Sequence, residues 1–251
     1  MTASIGGGQV ALLFLVFMRC IGLVTTAPIY GHHSIPRLVK MGLAATIAIA
    51  LAQTAGANAG SMPMLVAAPL ELGIGLSLGF ILSMGFQAVE LAGRVISIQL
   101  GLSLGSVFSP TQEEASTAID PFFSVFAGLL FLALGLHLQV IRVLANSFVI
   151  YPVGGGWPLD LASTGVQTIT LALELGVRVA LPIALVLLLV ELAVALLARA
   201  IPQINVFILG LPLKMLVGLA VLAMALPTLM SGATSIFRFV FDAASRGAVN
   251  T

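Results

Sequence analysis

Six long apolar runs alternate with short connections along the chain. The first is Gln9–Tyr30, interrupted by Arg19, the second Met41–Ala57, and the third Met64–Val89, which carries Glu71. The fourth, Phe122–Ala145, has His137 and Arg142 near its end. The fifth, Val166–Ala198, contains Glu174, Arg178 and Glu191, and the sixth, Leu213–Met230, follows Lys214. A helix that crosses a bilayer needs about 20 mostly apolar residues. The runs are too long for ordinary strands and are rich in Leu and Ala, which favour helix. The pattern predicts an all-α, multi-helix integral membrane protein with about six long hydrophobic helices.

The connections carry chain breakers. GHHSIPR (31–37) contains Pro36, GANAGSMP (56–63) ends in Pro63, and YPVGGGWPLD (151–160) has two prolines and three consecutive glycines. These read as turns rather than linkers, so a single domain over 1–251 is expected. The fifth run exceeds what a bilayer requires, so it must tilt, bend at Pro182 or project beyond the lipid. After the third run, Glu90–Phe108 continues with mixed polarity and is expected to extend the helix, then turn. GLSLG occurs at 75–79 and at 101–105, each copy a G-x-x-x-G that allows close helix approach in a membrane, or a coincidence in a Gly/Leu-rich chain.

The connection between the fifth and sixth runs, ARAIPQINVFILGLPLK (198–214), concentrates scarce polar residues. Pro202 cannot donate a backbone hydrogen bond and disfavours helix at Ile201. Gln203 and Asn205 can bond the freed groups, and Gly210 and Pro212 should break or bend the chain again before Lys214. The expected product is a rigid polar reversal that sets the angle between two helices and presents Gln203 and Asn205 to a neighbouring chain. Arg199, Pro202, Gln203, Asn205, Gly210, Pro212 and Lys214 are its candidate interface residues.

Composition sharpens this picture. Of 251 residues, 60% are hydrophobic and 8% charged, with mean hydropathy +1.18; an ordinary soluble domain is roughly 25% charged. The surroundings of most of the chain must be lipid or apolar protein. A net charge of +1 argues against nucleic acid, which calls for a basic face. Cys20 is the only cysteine, so no internal disulfide forms. The start, MTASIGGGQV, lacks a positive region and a cleavage site, and the first run is expected to remain as a permanent segment. Arg37 and Lys40 in the first connection and Arg199 in the fifth would place the odd connections in the cytoplasm, whereas Arg238 and Arg246 argue the other way.

No catalytic set, cofactor motif or nucleotide loop is present in the sequence. His32 and His33 adjoin in a connection and His137 is alone, so no ligand cluster supports a metal. The intramembrane charges Arg19, Glu71, Glu174, Arg178 and Glu191 say more, since each is costly near a bilayer centre. Glu174 and Arg178 are four apart and can pair on one helix face, as can Glu90 and Arg94. Arg19, Glu71 and Glu191 have no such local partner and call for another helix, another chain or a water-filled path. A stand-alone secondary transporter with Glu71, Glu174 and Arg178 at a solute site is one reading, and an intramembrane protease lacks the residues it would need.

RAIPQINVFILGLPLKMLVG (199–218) resembles the signature of the FliR/SctT family of flagellar and type III secretion export-gate proteins. RCIGLVTTAPIYGHHSIPRLVKMGLA (19–44) is similar to the family's first hairpin, ELAGRVISIQLGLSLGSVFSP (90–110) to its G-x-x-x-x-x-Q-x-G-x-S segment, and DPFFSVFAGLLFLALGLHLQVIRVLANSF (120–148) to the helix that follows. The chain departs mildly with Gln99-Leu100-Gly101, where the family commonly has Gln-Met-Gly. The resemblance implies a gate subunit without catalytic activity or cofactor, in a hetero-oligomeric helical complex with FliP-like and FliQ-like subunits and an FlhB-like subunit. Such a complex passes unfolded protein substrates across the inner membrane at the flagellar basal body. The Pro-Gln-x-Asn-Val-Phe form resembles flagellar members; the injectisome branch is the alternative. In the family the loop after the Q-x-G-x-S segment lies inside the channel as a plug, which here maps to about 105–120. Gly105, Ser106 and Ser109 are small, Val107 and Phe108 form an apolar patch, Pro110 interrupts helix, and Glu113, Glu114 and Asp120 keep the segment solvated when displaced.

Overall fold

The computed structural model describes residues 7–32, 34–55, 62–101, 119–200 and 206–246. Regular structure among the described residues is helical: α1 (Gly7–Thr26), α2 (Arg37–Ala55), α3 (Met64–Gln99), α4 (Ile119–Ala133), α5 (Leu136–Ile150), α6 (Leu159–Ala200) and α7 (Val206–Arg246). Four of these, α1, α3, α6 and α7, are long and apolar enough to cross a membrane, and the bent pair α4–α5 makes a fifth if taken as one span. The chain is thus a multi-helix membrane protein, as expected, with seven helices among the described residues.

Prolines and glycines set the boundaries. The first apolar run reaches Tyr30, yet α1 ends at Thr26 because Pro28 disfavours helix at Ala27. The turn closes with Tyr30 N–H donating to the Pro28 carbonyl and Gly31 N–H to the Ala27 carbonyl, both at 2.8 Å. Ile29 sits within it at φ 65, an unusual conformation for a β-branched residue. Helices α2 and α3 each begin just after a proline, whose carbonyl accepts from the first turn: Pro36 from Val39 and Lys40, Pro63 from Val66 and Ala67. Proline's missing donor is harmless at a helix start. Helix α3 continues through Glu90 to Gln99, and the chain turns at Gly101, which has φ 78.

Two expectations need correction. The fourth run is not one helix: Gly135, at φ 66, separates α4 from α5. Average hydropathy does not register a left-handed glycine, which costs little there. Nor do Gly210 and Pro212 break the chain before Lys214, since both lie inside α7, which starts at Val206. In a membrane helix, neighbouring groups and small local adjustments accommodate the carbonyl that proline leaves free. The reversal expected around Pro202 lies outside the described residues. Helix α7 also runs well past Met230. Ala233, Ile236, Phe237, Val240, Phe241 and Ala244 recur at three- and four-residue intervals and are all buried, while Arg238 and Asp242 are exposed. That spacing is an amphipathic helix, diluted in hydropathy by its polar face. Helix α6, 42 residues long, passes through Pro182 without interruption.

The chain forms two compact units, one from 1–85, 131–171 and 237–251, the other from 86–130 and 172–236. In the first, α2 lies against α1 and α5. Helices α1 and α3 touch through glycine: a Cβ on Gly22 would stand 2.5 Å from the Leu72 carbonyl oxygen, and one on Gly75 or Gly79 would strike the α1 backbone. The first GLSLG copy is thus a backbone-to-backbone seam. The buried residues around it include Val16, Leu23, Ile74, Leu78 and Phe148. The second unit has its own close approaches, with Gly176 against the Ala88 carbonyl and Gly232 against Val179. Its α6 segment leaves Leu185, Leu189, Leu192 and Leu196 exposed.

Candidate functional site

The most elaborate polar arrangement among the described residues lies inside the first unit. Arg19, in the middle of α1, is fully buried, and Glu71 on α3 is nearly so. The Arg19 Nε donates to Glu71 Oε2 at 2.6 Å. Its Nη1 donates to the Ser147 carbonyl at 2.9 Å and to Ser147 Oγ at 3.3 Å, on α5. The guanidinium carbon lies 4.5 Å from the centre of the Phe148 ring, a favourable place for a desolvated cation. Nη2 has no hydrogen-bond partner among the described residues.

The second oxygen of Glu71 is also used. Oε1 accepts from the Gly154 N–H at 3.0 Å, in the connection between α5 and α6. One carboxylate therefore joins α1, α3 and a loop, and the guanidinium adds α5. A buried charge pair repays its desolvation only when its remaining donors and acceptors are also met. Here both Glu71 oxygens are met, and of the Arg19 nitrogens Nη2 alone has no hydrogen-bond partner among the described residues. The loop itself needs glycine: Gly154 has φ 74 and Gly156 φ 102. The Trp157 ring closes over Gly73 of α3, where a Cβ would come within 2.8 Å of the ring.

Smaller contacts fix the α1–α2 end of the same unit. Thr26 Oγ1 donates to the Leu76 carbonyl at 3.1 Å across the glycine seam. Lys40 Nζ donates to the Gly31 carbonyl at 2.7 Å, and Tyr30 OH to the His137 carbonyl at 3.3 Å. Burial raises the Tyr30 phenol above its ordinary range, and the hydroxyl is a donor at neutral pH with or without that shift.

The second unit holds two further ion pairs, both partly open. Arg178 Nη2 meets Glu174 Oε1 at 2.6 Å on one face of α6. Lys214 Nζ of α7 meets Glu191 Oε2 of α6 at 2.9 Å. Glu90 and Arg94, at the same spacing as the first of these, form no ion pair with each other among the described residues.

Of the intramembrane charges, Arg19 and Glu71 come together, Glu174 and Arg178 come together, and Glu191 finds Lys214. Another helix of the same chain thus supplies the partners that Arg19, Glu71 and Glu191 lacked locally. Gly105, Ser106, Val107, Phe108, Ser109, Pro110, Glu113 and Glu114 lie outside the described residues, and Asp120 falls in the first turn of α4. Pro202, Gln203 and Asn205 also lie outside them, whereas Arg199 is exposed in the last turn of α6. Sequence reasoning did not single out Ser147, Phe148, Gly154 or the Gly73–Trp157 contact. One signal was available for the ion pair: a lone cation and a lone anion in separate apolar runs are each other's natural partners. Nothing local marks the other residues, because they contribute a carbonyl, a ring face and a backbone N–H.

Comparison with known proteins places the chain. The family model described as "Bacterial export proteins, family 1" matches residues 10–240. The chain is 34% identical to the flagellar biosynthetic protein FliR of Escherichia coli K12, over 92% of this chain and 90% of that one. It is 31% identical to FliR of Caulobacter vibrioides, covering 93% and 96% of the two chains, and 32% identical to FliR of Aquifex aeolicus, covering 91% and 90%. With a match that runs nearly end to end, the chain belongs to the bacterial export proteins of family 1.

Proposed function

We propose that this chain is the FliR-type subunit of the flagellar protein export gate in the bacterial inner membrane, at the flagellar basal body. With FliP-like and FliQ-like subunits, and an FlhB-like subunit beside them, it forms the channel through which unfolded flagellar substrates cross. The observation that carries this reading is the family match over 10–240, together with relatives named flagellar biosynthetic protein over at least nine-tenths of both chains. The subunit acts as one family domain and needs no catalysis or cofactor, because its work is to shape and close a path. The segment 105–120 serves as the removable plug, and the region from Arg199 to Lys214 meets a sister subunit. The exposed leucines of α6 support an assembled state, since they offer a broad apolar surface. A solute site built from Glu71, Glu174 and Arg178 is disfavoured because each of the three already has a charged partner.

Co-expression tests this. In mild detergent the chain should co-purify with its sister subunits at a fixed ratio, and its deletion should abolish motility and export. A monodisperse chain that is stable alone and carries a solute across vesicles would overturn the proposal. Shortening 109–118 should leave assembly intact and make the resting membrane leaky to ions; unchanged conductance would remove the plug assignment.

A further inference from the structure

The Glu71 carboxylate faces two ways, and its second contact is not required for charge neutrality. Arg19 already neutralises it through Oε2. Oε1 is spent on Gly154, the middle of the YPVGGGWP connection. Among the described residues, 152–158 make this one hydrogen bond to an element distant in sequence; the Gly155 N–H bond to the Pro152 carbonyl and the Leu161 N–H bond to the Pro158 carbonyl are local. The loop is nevertheless drawn inward. Val153 and Gly154 are buried, and Trp157 lies so close to α3 that a Cβ at residue 73 would stand 2.8 Å from its ring.

We propose that Glu71 is the anchor of a strap: the 152–158 connection is held across α3 by the Glu71 Oε1–Gly154 N–H bond, and the Arg19 pair serves to orient the carboxylate for it. Three positions act together. Arg19 fixes the carboxylate plane through Oε2, so that Oε1 points at the loop. Ser147 and Phe148 hold the guanidinium in turn, from the end of the helix that leads into the loop. Gly154 and Gly156 supply the positive-φ geometry that lets a backbone N–H reach inward. The strap is tied down by one charge-assisted hydrogen bond to a distant element, the Trp157–Gly73 contact, a Met62 methyl group near Gly156 and the buried Val153, fewer ties than a packed helix has, so it opens before the helices around it do. When open it uncovers Gly73 and the adjoining face of α3.

Hydrogen exchange read by mass spectrometry on the full chain, purified in mild detergent, tests this directly. Glu71→Gln keeps the shape but cannot serve both neighbours, because its amide oxygen can accept from Arg19 or from Gly154. Amides 153–157 should exchange faster by about tenfold, the equivalent of one hydrogen bond to a charged group. The same change leaves the buried Arg19 charge uncompensated, so the amides of α1 and α3 lose protection as well, and the strap is read in the loss at 153–157 beyond theirs. Arg19→Lys leaves a cation opposite Oε2 and should change 153–157 far less. The double variant Arg19→Met/Glu71→Met removes the buried charges altogether and should release the strap while the helices stay formed. If Glu71→Gln leaves 153–157 as protected as in the parent chain, the loop holds itself in place and the proposal is wrong. It is equally wrong if Arg19→Lys loosens the strap as much as Glu71→Gln does.

Discussion

Arg19–Glu71 in one unit and Glu174–Arg178 in the other close at the same 2.6 Å, yet the first pair is 0% and 2% exposed and the second 47% and 67%. The first is surrounded by its own chain: Ser147, Phe148 and Gly154 complete it. The second has only the opposite charge one helical turn away. The helices follow the same division, since the spanning segment of α3 is 44% buried and that of α6 only 22%. Identical ion-pair geometry therefore reports opposite conditions. A pair enclosed by its own fold specifies that fold. A pair left open on an apolar helix is costly against lipid and belongs in contact with water or with another protein. The charges buried in the first unit are completed by its own residues, whereas the second unit's part of α6 presents apolar surface that an assembled gate would cover.

The sharpest way to break this contrast is to remove one partner from each pair. Glu71→Ala leaves Arg19 buried and uncompensated and should cost about 3–5 kcal/mol, seen as loss of folded chain in the membrane. Glu174→Ala should change the stability of the isolated chain by about 0–1 kcal/mol, in line with exposed pairs. If both variants accumulate equally, the distinction between the two pairs fails. The glycines give a second contrast. Gly22→Val forces α1 from α3 and should destabilise by about 1–3 kcal/mol through overpacking. Gly42→Ala, on the open face of α2 with nothing within 4 Å of the new methyl group, should be neutral or stabilise by about 0.5–1 kcal/mol. Thermal unfolding of the two variants in detergent checks both signs.

At the break between α4 and α5, Gly135→Ala puts a side chain at φ 66 and should cost about 1–2 kcal/mol, although space for a methyl group is free. A neutral result would mean that the break adjusts its backbone. A small effect on stability is also expected for Lys214→Met. Its partner Glu191 is 57% exposed, so losing the pair should move stability by at most about 1 kcal/mol while weakening co-purification with sister subunits. Unchanged co-purification would place this pair outside any interface.

Helix class and membrane character were legible because apolar residues repeat over lengths that strands do not reach. The starts of α2 and α3 were legible in Pro36 and Pro63. The break at Gly135 was not, since glycine inside an apolar run looks the same whether it packs, as Gly75 does, or turns left-handed. The two GLSLG copies make the same point: the first is a seam, while the second opens with Gly101 ending α3. Polar residues misled at Pro212, where helix continues, and after Met230, where a polar face hid a regular apolar stripe. The Arg19–Glu71 pair was half visible. The two charges stood out, but what completes them is backbone and ring, which carry no mark in the sequence.

Trp157 has a spectroscopic consequence. It is the only tryptophan in the chain, 41% exposed, with its ring against the backbone of α3 at Gly73. An indole so placed is half in a dry contact and half in its surroundings, so its emission maximum and its quenching by acrylamide are sensitive to small displacements of the ring. Gly73→Ala would lift the ring without adding or removing a fluorophore. The purified chain thus carries an intrinsic optical reporter of one loop's position, readable on a millisecond mixing timescale and without labels.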